Sequence, residues 1–512
     1  MKFKLFTLLL LLVYFSSFAQ DAKLVINADE GKFTISKHIY GHFSEHLGRC
    51  IYGGIWVGPD SDIPNIDGYR TDVVEALKKI KIPNLRWPGG CFADEYHWMD
   101  GIGPREKRPR MVNTNWGGVV EDNSFGTHEF LNFCELIGTE PYLSMNVGSG
   151  TVEEMAKWVE YVNSDGDSPM ANLRRQNGRE KPWNVKFIGV GNESWGCGGS
   201  MRPEFYADQY RRYATYCRNY GDNRLFKVAS GASDYDFNWT KVLLENVGNR
   251  MQGLSLHYYT VKGWRGSKGS ATDFNRDEYF STIKKSMGIE PVLQKHISLM
   301  DYYDPENRIG LMVDEWGTWF DVEPGTNPGF LYQQSTLRDA FVAATTLNIF
   351  NQYGDRIQMA NIAQIVNVLQ AIILTKDDKM ILTPTYYVFD MYKVHQDATF
   401  LPSEFSKSFD YENNSEKIPA LNVSSSRSAD GYINISIVNV HPDKDIQLEC
   451  DLRGTEVKTV TGQIITANDL TVHNTFDQPE NITLKSFDKA RVKNNIISVT
   501  IPAKSVVMLR TK

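Results

Sequence analysis

Beyond its first fifteen residues, the 512-residue sequence has no apolar run long enough to cross a membrane. It has no surplus of positive charge either. Lys and Arg number 55 against 62 Asp and Glu, for a net charge of -7, and no basic cluster follows a helix, so there is no electrostatic footprint for nucleic acid. Cysteine is scarce. Cys50, Cys91, Cys134, Cys197, Cys217 and Cys450 are too few for a disulfide scaffold in so long a chain, and no C-x-x-C pair suggests a metal. Buried free thiols are expected for most of the six. No G-x-G-x-x-G follows the first strand, which argues against a dinucleotide-binding sheet. Solenoid repeats and low-complexity tracts are also missing.

What is present begins with MKFKLFTLLLLLVYFSSFAQ. Two lysines, an apolar run over Leu5–Phe15 and then Ser17-Phe18-Ala19 have the form of a secretory leader (residues 1–19) cut after Ala19. The run is too short to span comfortably as an anchor. The expectation is therefore an exported, soluble protein, periplasmic or secreted. Aromatic residues are plentiful at 12%, which suits a large core and also suits sugar-stacking surfaces.

Length favours two domains. Residues 20–36 alternate as a strand or hairpin and are expected to join a distant sheet. From 37 to 385 the pattern is apolar strand, polar loop, amphipathic helix, repeated. The strands are HIYGHFSEH (38–46), NLRWPGG (84–90), EPYLSMNVG (140–148), KFIGVGNES (186–194), FKVASGAS (226–233), GLSLHYYT (253–260), RIGLMVDEW (308–316) and IQMANIAQ (357–364). Eight such units predict an α/β fold, a (β/α)8 TIM barrel enlarged by loops, with a doubly wound sheet as the alternative. From 386 to 512 short alternating strands predict a C-terminal all-β sandwich.

Polar residues collect where the predicted strands end: Glu45, Asn146, Asn192, Glu193, His257, Tyr259, Glu315 and Gln364. That end is where barrel active sites are built. Glu193 and Glu315 fall three units apart, on strands 4 and 7, facing each other across the mouth. Buried parallel strands are near-continuous apolar runs, so a carboxylate closing one needs a reason, and two invite paired-carboxylate chemistry such as glycoside hydrolysis. Glu193, beside a neutral amide, suits the proton donor, and Glu315 the ionised partner. Asp314 is expected to point away, since side chains alternate along a strand. His257 and Tyr259, two apart, point to one side and suit an orienting role. No His/Asp/Glu group has ligand spacing, so no metal and no cofactor is expected.

The segments GHFSEHLGRCIYGGIW (41–56), LRWPGGCFADEYHWMDGIGPREKRP (85–109), GNESWG (191–196), LSLHYYT (254–260), VDEWGTWF (313–320) and ANIAQIVNVLQA (360–371) occur in family order across the whole barrel. In them the chain resembles the α-L-arabinofuranosidases of glycoside hydrolase family 51. The resemblance implies release of terminal non-reducing α-L-arabinofuranosyl residues with retention, with Glu193 as acid/base and Glu315 as nucleophile. It implies a sugar pocket lined by Glu45, Asn192, His257, Tyr259 and Gln364 and walled by Trp98 and Trp319. It also implies homo-oligomers, and an arabinofuranosyl-containing saccharide as the binding partner. Cys91 enters the pocket by the same carry-over. Many family members have Asn there, whose amide meets a sugar hydroxyl, whereas a thiol is a poor hydrogen-bonder. An endo-β-glucanase or β-xylosidase on the same barrel is the nearest alternative. A non-catalytic carbohydrate-binding protein is disfavoured, because binding alone needs neither acid nor nucleophile.

Overall fold

The computed structural model describes residues 20–512; the expected leader (1–19) lies outside them. Eight parallel strands close into a barrel. In chain order they are Gly41–Phe43, Asn84–Trp87, Glu140–Met145, Phe187–Val190, Phe226–Ser233, Gly253–Thr260, Gly310–Thr318 and Ile357–Ala363, called barrel strands 1 to 8 below. Strand 8 returns to strand 1 through Asn361↔Gly41 and Ala363↔Phe43, which seals the cylinder. The fold class is the one the strand–helix alternation predicts.

Strands 2 and 4 read as they do because both faces are covered: every residue of Asn84–Trp87 and of Phe187–Val190 is buried. Tyr142, Phe187, Val228, Met312 and Met359, from five different strands, form a cluster separate from the main core. Outside the barrel the helices bury one stripe each. In Thr71–Ile80, Val73, Val74, Leu77 and Ile80 are buried at helical spacing. The helix Leu337–Gln352 departs from this rule, with every residue from Leu337 to Asn351 buried. It lies between the barrel and the β-domain: Asn348 Nδ2 donates to Asn422 Oδ1 at 2.8 Å and Gln352 to the Val423 carbonyl at 3.0 Å.

The β-domain has two large sheets and a short hairpin, Asp410–Asn413 with Glu416–Pro419. One runs Thr399–Phe400, Leu421–Arg427, Ile433–Asn439, Ser505–Thr511, Val460–Thr466, Lys485–Phe487. The other runs Ser403–Lys407, Ala22–Asn27, Ile446–Arg453, Ile496–Ile501, Arg491–Lys493. The first strand of the described chain thus sits inside a sheet otherwise made from the last hundred or so residues, parallel to Ile446–Arg453 and antiparallel to Ser403–Lys407. The expected boundary at 385/386 needs correction. It cuts the helix Pro384–Tyr392, whose nine residues are all buried and whose Tyr386 Oη donates to the Ala76 carbonyl of the barrel at 2.9 Å. Apolar positions on all sides of that helix leave no periodicity from which to place its end.

Leu24 and Ile26 have no exposed surface. Leu24→Ala and Ile26→Ala are each expected to cost about 2–4 kcal/mol. A fall in the thermal midpoint of the whole chain, rather than an early separate transition of the β-domain, is the expected reading from calorimetry.

Candidate active site

The C-terminal ends of strands 1, 2, 4, 6, 7 and 8 converge on one buried polar cluster. At its base lies Arg86, from strand 2, 1% exposed. Its guanidinium donates to Glu315 Oε2 at 3.1 Å, to the Asp314 carbonyl at 3.0 Å, to Asn192 Oδ1 at 2.5 Å and to Ser144 Oγ at 3.1 Å. One planar fork thereby fixes groups from strands 3, 4 and 7. Tyr259 Oη donates to the other Glu315 oxygen at 2.7 Å, so Glu315 is oriented from two sides and ion-paired with Arg86.

Glu193 follows strand 4 in a left-handed conformation (φ 39°), just after Gly191 at φ 89°. Such a backbone turns the carboxylate back over the barrel mouth and persists only where its surroundings fix it. Part of that fixing is Asp94, whose carboxylate accepts from the backbone of Val147, Gly148 and Asn192 at 2.9, 2.8 and 3.3 Å. The Glu193 carboxyl is raised from its ordinary range by burial and by the charge of Glu315, against the pull of His257. His257 Nδ1 donates to Glu193 Oε1 at 2.9 Å and lies 3.4 Å from Glu315 Oε2. Closely placed oxygens of the two glutamates and this nitrogen all lie within 4.8 Å of one another.

His257 itself opposes the desolvation that would lower it. Glu315, Asp314 and Glu193 push it up to about 10, so it is an imidazolium. Its Nε2 faces Asp314 Oδ1 at 3.4 Å. Asp314 therefore does not point away. The pairing of strand 7 with strand 8 is irregular between Val313 and Trp316, and the break in alternation turns both acids inward. Asp314 accepts from Ser255 at 2.5 Å and Tyr142 at 2.7 Å. Burial would raise its pKa, but Arg86 and His257 hold it well below the usual carboxylate range.

Glu45 is the third carboxylate facing the pocket. It accepts from Phe92 N at 3.1 Å, Trp116 Nε1 at 2.8 Å and Gln364 Nε2 at 2.9 Å. Burial and the charge of Glu315 push it up to about 7. The Pro88-Gly89-Gly90 turn exists in this form because a Cβ on Gly90 would sit 2.8 Å from both Glu45 oxygens. Trp319 stands edge-on to Tyr259, centroids 5.1 Å apart.

Two expected pocket residues are corrected. Trp98 is 1% exposed, stacked on Trp158 with its indole N–H given to the Glu154 carbonyl at 3.0 Å; it is core. The tryptophan of this connection that reaches the site is Trp116, on the hairpin Met111–Asn113/Val119–Glu121. Cys91 is no free thiol. It is bridged to Cys197, whose sulfur lies 3.6 Å from Glu193 Oε2. Cys50, Cys134, Cys217 and Cys450 are free and buried. Asn146 is spent on its own turn, accepting from Ser149 and Gly150 N–H groups at 2.9 and 2.8 Å. Arg86, Asp94, Trp116 and Cys197 were not singled out in the sequence. An arginine inside an apolar strand (N-L-R-W) and a tryptophan in the turn-like N-T-N-W-G-G are the signals that point to two of them.

The Glu193–His257–Glu315 group has metal-like proximity, but an imidazolium donating from Nδ1 has no lone pair to offer, and Arg86 already occupies the cationic position. The donor set suits proton transfer at carboxylates, not a metal ion.

Comparison with known proteins agrees with this geometry. Family models match residues 76–292 (alpha-L-arabinofuranosidase 1 domain) and 314–505 (alpha-L-arabinofuranosidase C-terminal domain). An intracellular exo-alpha-L-arabinofuranosidase of Bacteroides ovatus is 62% identical over 96% of this chain and 95% of its own. The chain belongs to the family 51 α-L-arabinofuranosidases. Among solved structures, the GH51 arabinofuranosidase of Xanthomonas axonopodis pv. citri superposes with a TM-score of 0.95 at 47% identity, covering 96% of this chain and all of that one. The arabinose complex of the Thermotoga maritima α-L-arabinofuranosidase follows at TM-score 0.84 and 31% identity, over 96% of this chain and 99% of its own. One earlier expectation is overturned. The Bacteroides ovatus relative, similar along nearly the whole chain, is named intracellular, so export and a cleaved leader are not carried forward.

The bridge ties the ends of strands 2 and 4 across 106 residues of sequence. Cys91→Ala is expected to lower stability by about 2–4 kcal/mol. It is also expected to slow poor leaving groups more than activated aryl glycosides, since Glu193 loses a fixed neighbour. Trp98→Phe should leave KM unchanged while Trp116→Phe raises it; parallel steady-state kinetics on the two variants check the reassignment.

Proposed function

We propose that the protein removes terminal non-reducing α-L-arabinofuranosyl groups from arabinan, arabinoxylan side chains or their oligosaccharides, with retention of configuration. Glu193 is the acid/base and Glu315 the nucleophile. The observation that carries this reading is the short gap between the two carboxylates, bridged by His257 with oxygens within 4.8 Å. Retaining enzymes hold their carboxyl groups about 5–5.5 Å apart, and inverting ones leave roughly 6.5–9.5 Å for a water.

In the first half-reaction the Glu193 proton goes to the glycosidic oxygen while Glu315 attacks the anomeric carbon and forms a glycosyl ester. In the second, the Glu193 anion takes a proton from water as the water oxygen bonds to the anomeric carbon and the bond to Glu315 breaks, which releases the sugar and restores the Glu315 carboxylate. His257, pushed up to about 10, keeps its proton through both and acts as a fixed cation. Glu45 and Gln364, already oriented by each other, are placed to bind sugar hydroxyls, and Asn192, held by Arg86, is placed to do the same. Trp319 walls the mouth.

Glu315→Ala is expected to lose activity by at least about four orders of magnitude while circular dichroism shows the fold retained. Azide should restore part of it and give the inverted glycosyl azide; turnover like wild type would remove Glu315 from the role. The assay should pit an aryl α-L-arabinofuranoside against an aryl β-xyloside and a β-glucan, and preference for either of the latter would overturn the substrate assignment.

The kcat/KM profile should be bell-shaped. Glu193 is raised and must be protonated, so activity falls as pH rises through its pKa. Glu45, pushed up to about 7, is a second raised carboxyl that loses its proton as pH rises. Glu45→Gln should therefore leave an alkaline limb that Glu193→Ala flattens; a limb abolished by Glu45→Gln instead would assign it to Glu45.

A further inference from the structure

Beside the barrel mouth, between the segment that follows strand 6 and the helix Arg276–Met287, lies a cavity of about 310 Å³ that the reaction above does not use. Its rim includes Thr260 and Phe320, each the next residue after a side chain of the site, Tyr259 and Trp319. In its wall is Arg338, the second residue of the helix Leu337–Gln352 and only 1% exposed.

Arg338 lies between two phenyl rings, 3.7 Å from the centroids of both Phe274 and Phe320. Its Nη2 donates to the carbonyls of Ser270 and Ala271 at 3.1 and 3.0 Å, and its buried Nε has no partner. Among the described residues no carboxylate lies within ion-pair distance of it. The nearby acids are engaged elsewhere. Asp339 accepts from Thr318 Oγ1 and Thr336 N at 2.7 and 2.8 Å. Asp277 accepts from Asn413 and Asn414, both at 2.8 Å. Glu278 caps its own helix at Asn275 N and faces Lys262 at 3.7 Å. Lys262, Lys268 and Lys285 line the cavity with Arg338, against the two acids Asp277 and Glu278, so the balance of its lining is positive.

A buried cation without an anion carries a desolvation cost that ring stacking and two carbonyls offset only in part. A purely structural role, the stack fastening helix to loop, explains the two rings. It does not explain a guanidinium left without an anion, its buried Nε unpaired, in the wall of a cavity that three lysines also line. Such a lining suits a planar anion that accepts from a guanidinium and an ammonium together, which is carboxylate chemistry. The volume and the mixture of phenyl walls with Ser281 and Thr282 hydroxyls suit a sugar ring. Lys268, its Nζ 5.7 Å over the Trp319 ring, links this cavity to the mouth.

We propose that this cavity binds the carboxylate of a hexuronate residue carried on the glycan from which the arabinofuranosyl group is removed. The proposal rests on the arabinofuranosidase reading for its substrate, but the binding site is testable apart from it.

Two measurements on the full chain decide the matter. The first is calorimetric binding of free glucuronate and galacturonate, with glucose and inorganic phosphate as controls. The second is kcat/KM on an aryl α-L-arabinofuranoside, on a neutral arabinofuranosyl oligosaccharide, and on the same oligosaccharide bearing a hexuronate. Uronate binding without glucose binding is expected, with a preference for the acidic oligosaccharide of roughly tenfold, as for a charge-assisted hydrogen bond. Arg338→Met should abolish both. Should that variant fail to fold, Lys285→Gln, on the half-buried helix face, should weaken both and leave aryl glycoside turnover unchanged. Equal kcat/KM on the two oligosaccharides together with no uronate binding overturns the proposal. Phosphate binding as tight as uronate, with no preference for the acidic oligosaccharide, also overturns it and marks a free-anion site. If the wild type cleaves no arabinofuranoside at all, the activity reading falls, and the binding measurement still judges the cavity.

Discussion

The Arg86 guanidinium is the contact on which the site depends. It reaches Ser144, Asn192, Asp314 and Glu315 from the middle of the barrel, so strands 2, 3, 4 and 7 share one rigid planar hub. A charge buried this deeply is tolerable only because it is paired and hydrogen-bonded through all three of its nitrogens. Asp314 and Glu315 supply the pairing, and burial in turn strengthens each contact. The stack of Arg86 over Phe43, 4.6 Å to the centroid, closes the remaining side with strand 1. Removing the guanidinium would take a partner at once from Glu315, Asn192, Ser144 and the Asp314 carbonyl, a larger perturbation than any single hydrogen bond.

Much of this architecture was legible in the sequence for a simple reason. Parallel barrel strands are buried on both faces, so they stand out as apolar runs, and a polar residue closing one is an anomaly that marks the active face. Glu193, Glu315, Glu45, His257, Tyr259 and Gln364 could be located that way. What the pattern could not resolve was proximity between loops. Cys91 and Cys197 follow strands 2 and 4, which do not neighbour each other in the barrel, and nothing in their spacing records that the two loops meet above strand 3. Trp98 and Trp116 are both aromatic residues in the long connection after strand 2. Only the fold of the hairpin decides which one turns toward Glu45. Alternation misled at Asp314, because strand irregularities are set by the partner strand and not by local sequence.

The β-domain is bound to the barrel more tightly than a tethered module. The strand Ala22–Asn27 enters its sheet before the chain begins the barrel, so the two ends of the described chain are locked in one unit. The helix Leu337–Gln352 serves both parts, which is why its sequence lacks a polar face. Tyr279 adds a further tie, its hydroxyl donating to the Val440 carbonyl at 2.6 Å. The same helix carries Arg338 at its start, so the packing that fastens the domains also sets the wall of the cavity beside the mouth.

Around His257 the charges of three acids, Glu193, Asp314 and Glu315, and two cations, Arg86 and His257, close on a balance, with Glu45, packed against the Gly89-Gly90 turn, outside it. With Glu193 protonated, Arg86 and His257 face the anions Asp314 and Glu315, and the buried group is neutral. In the proposed glycosyl ester, Glu315 has lost its charge and Glu193 has become the anion, and the sum is again zero. The negative charge has moved between oxygens no more than 4.8 Å apart, and His257 touches both ends of that path, at 2.9 and 3.4 Å. Because Asp314 holds the imidazolium from the opposite side at 3.4 Å, the cation does not follow the proton. With a neutral histidine there, the Glu193 anion of the ester would lose its nearest cationic partner in a low-dielectric pocket, which favours its protonated form and hinders the second half-reaction. Asp314, which meets Glu193 only through His257, is thus in this mechanism a positioning residue whose charge keeps the acid and the base forms of Glu193 both within reach.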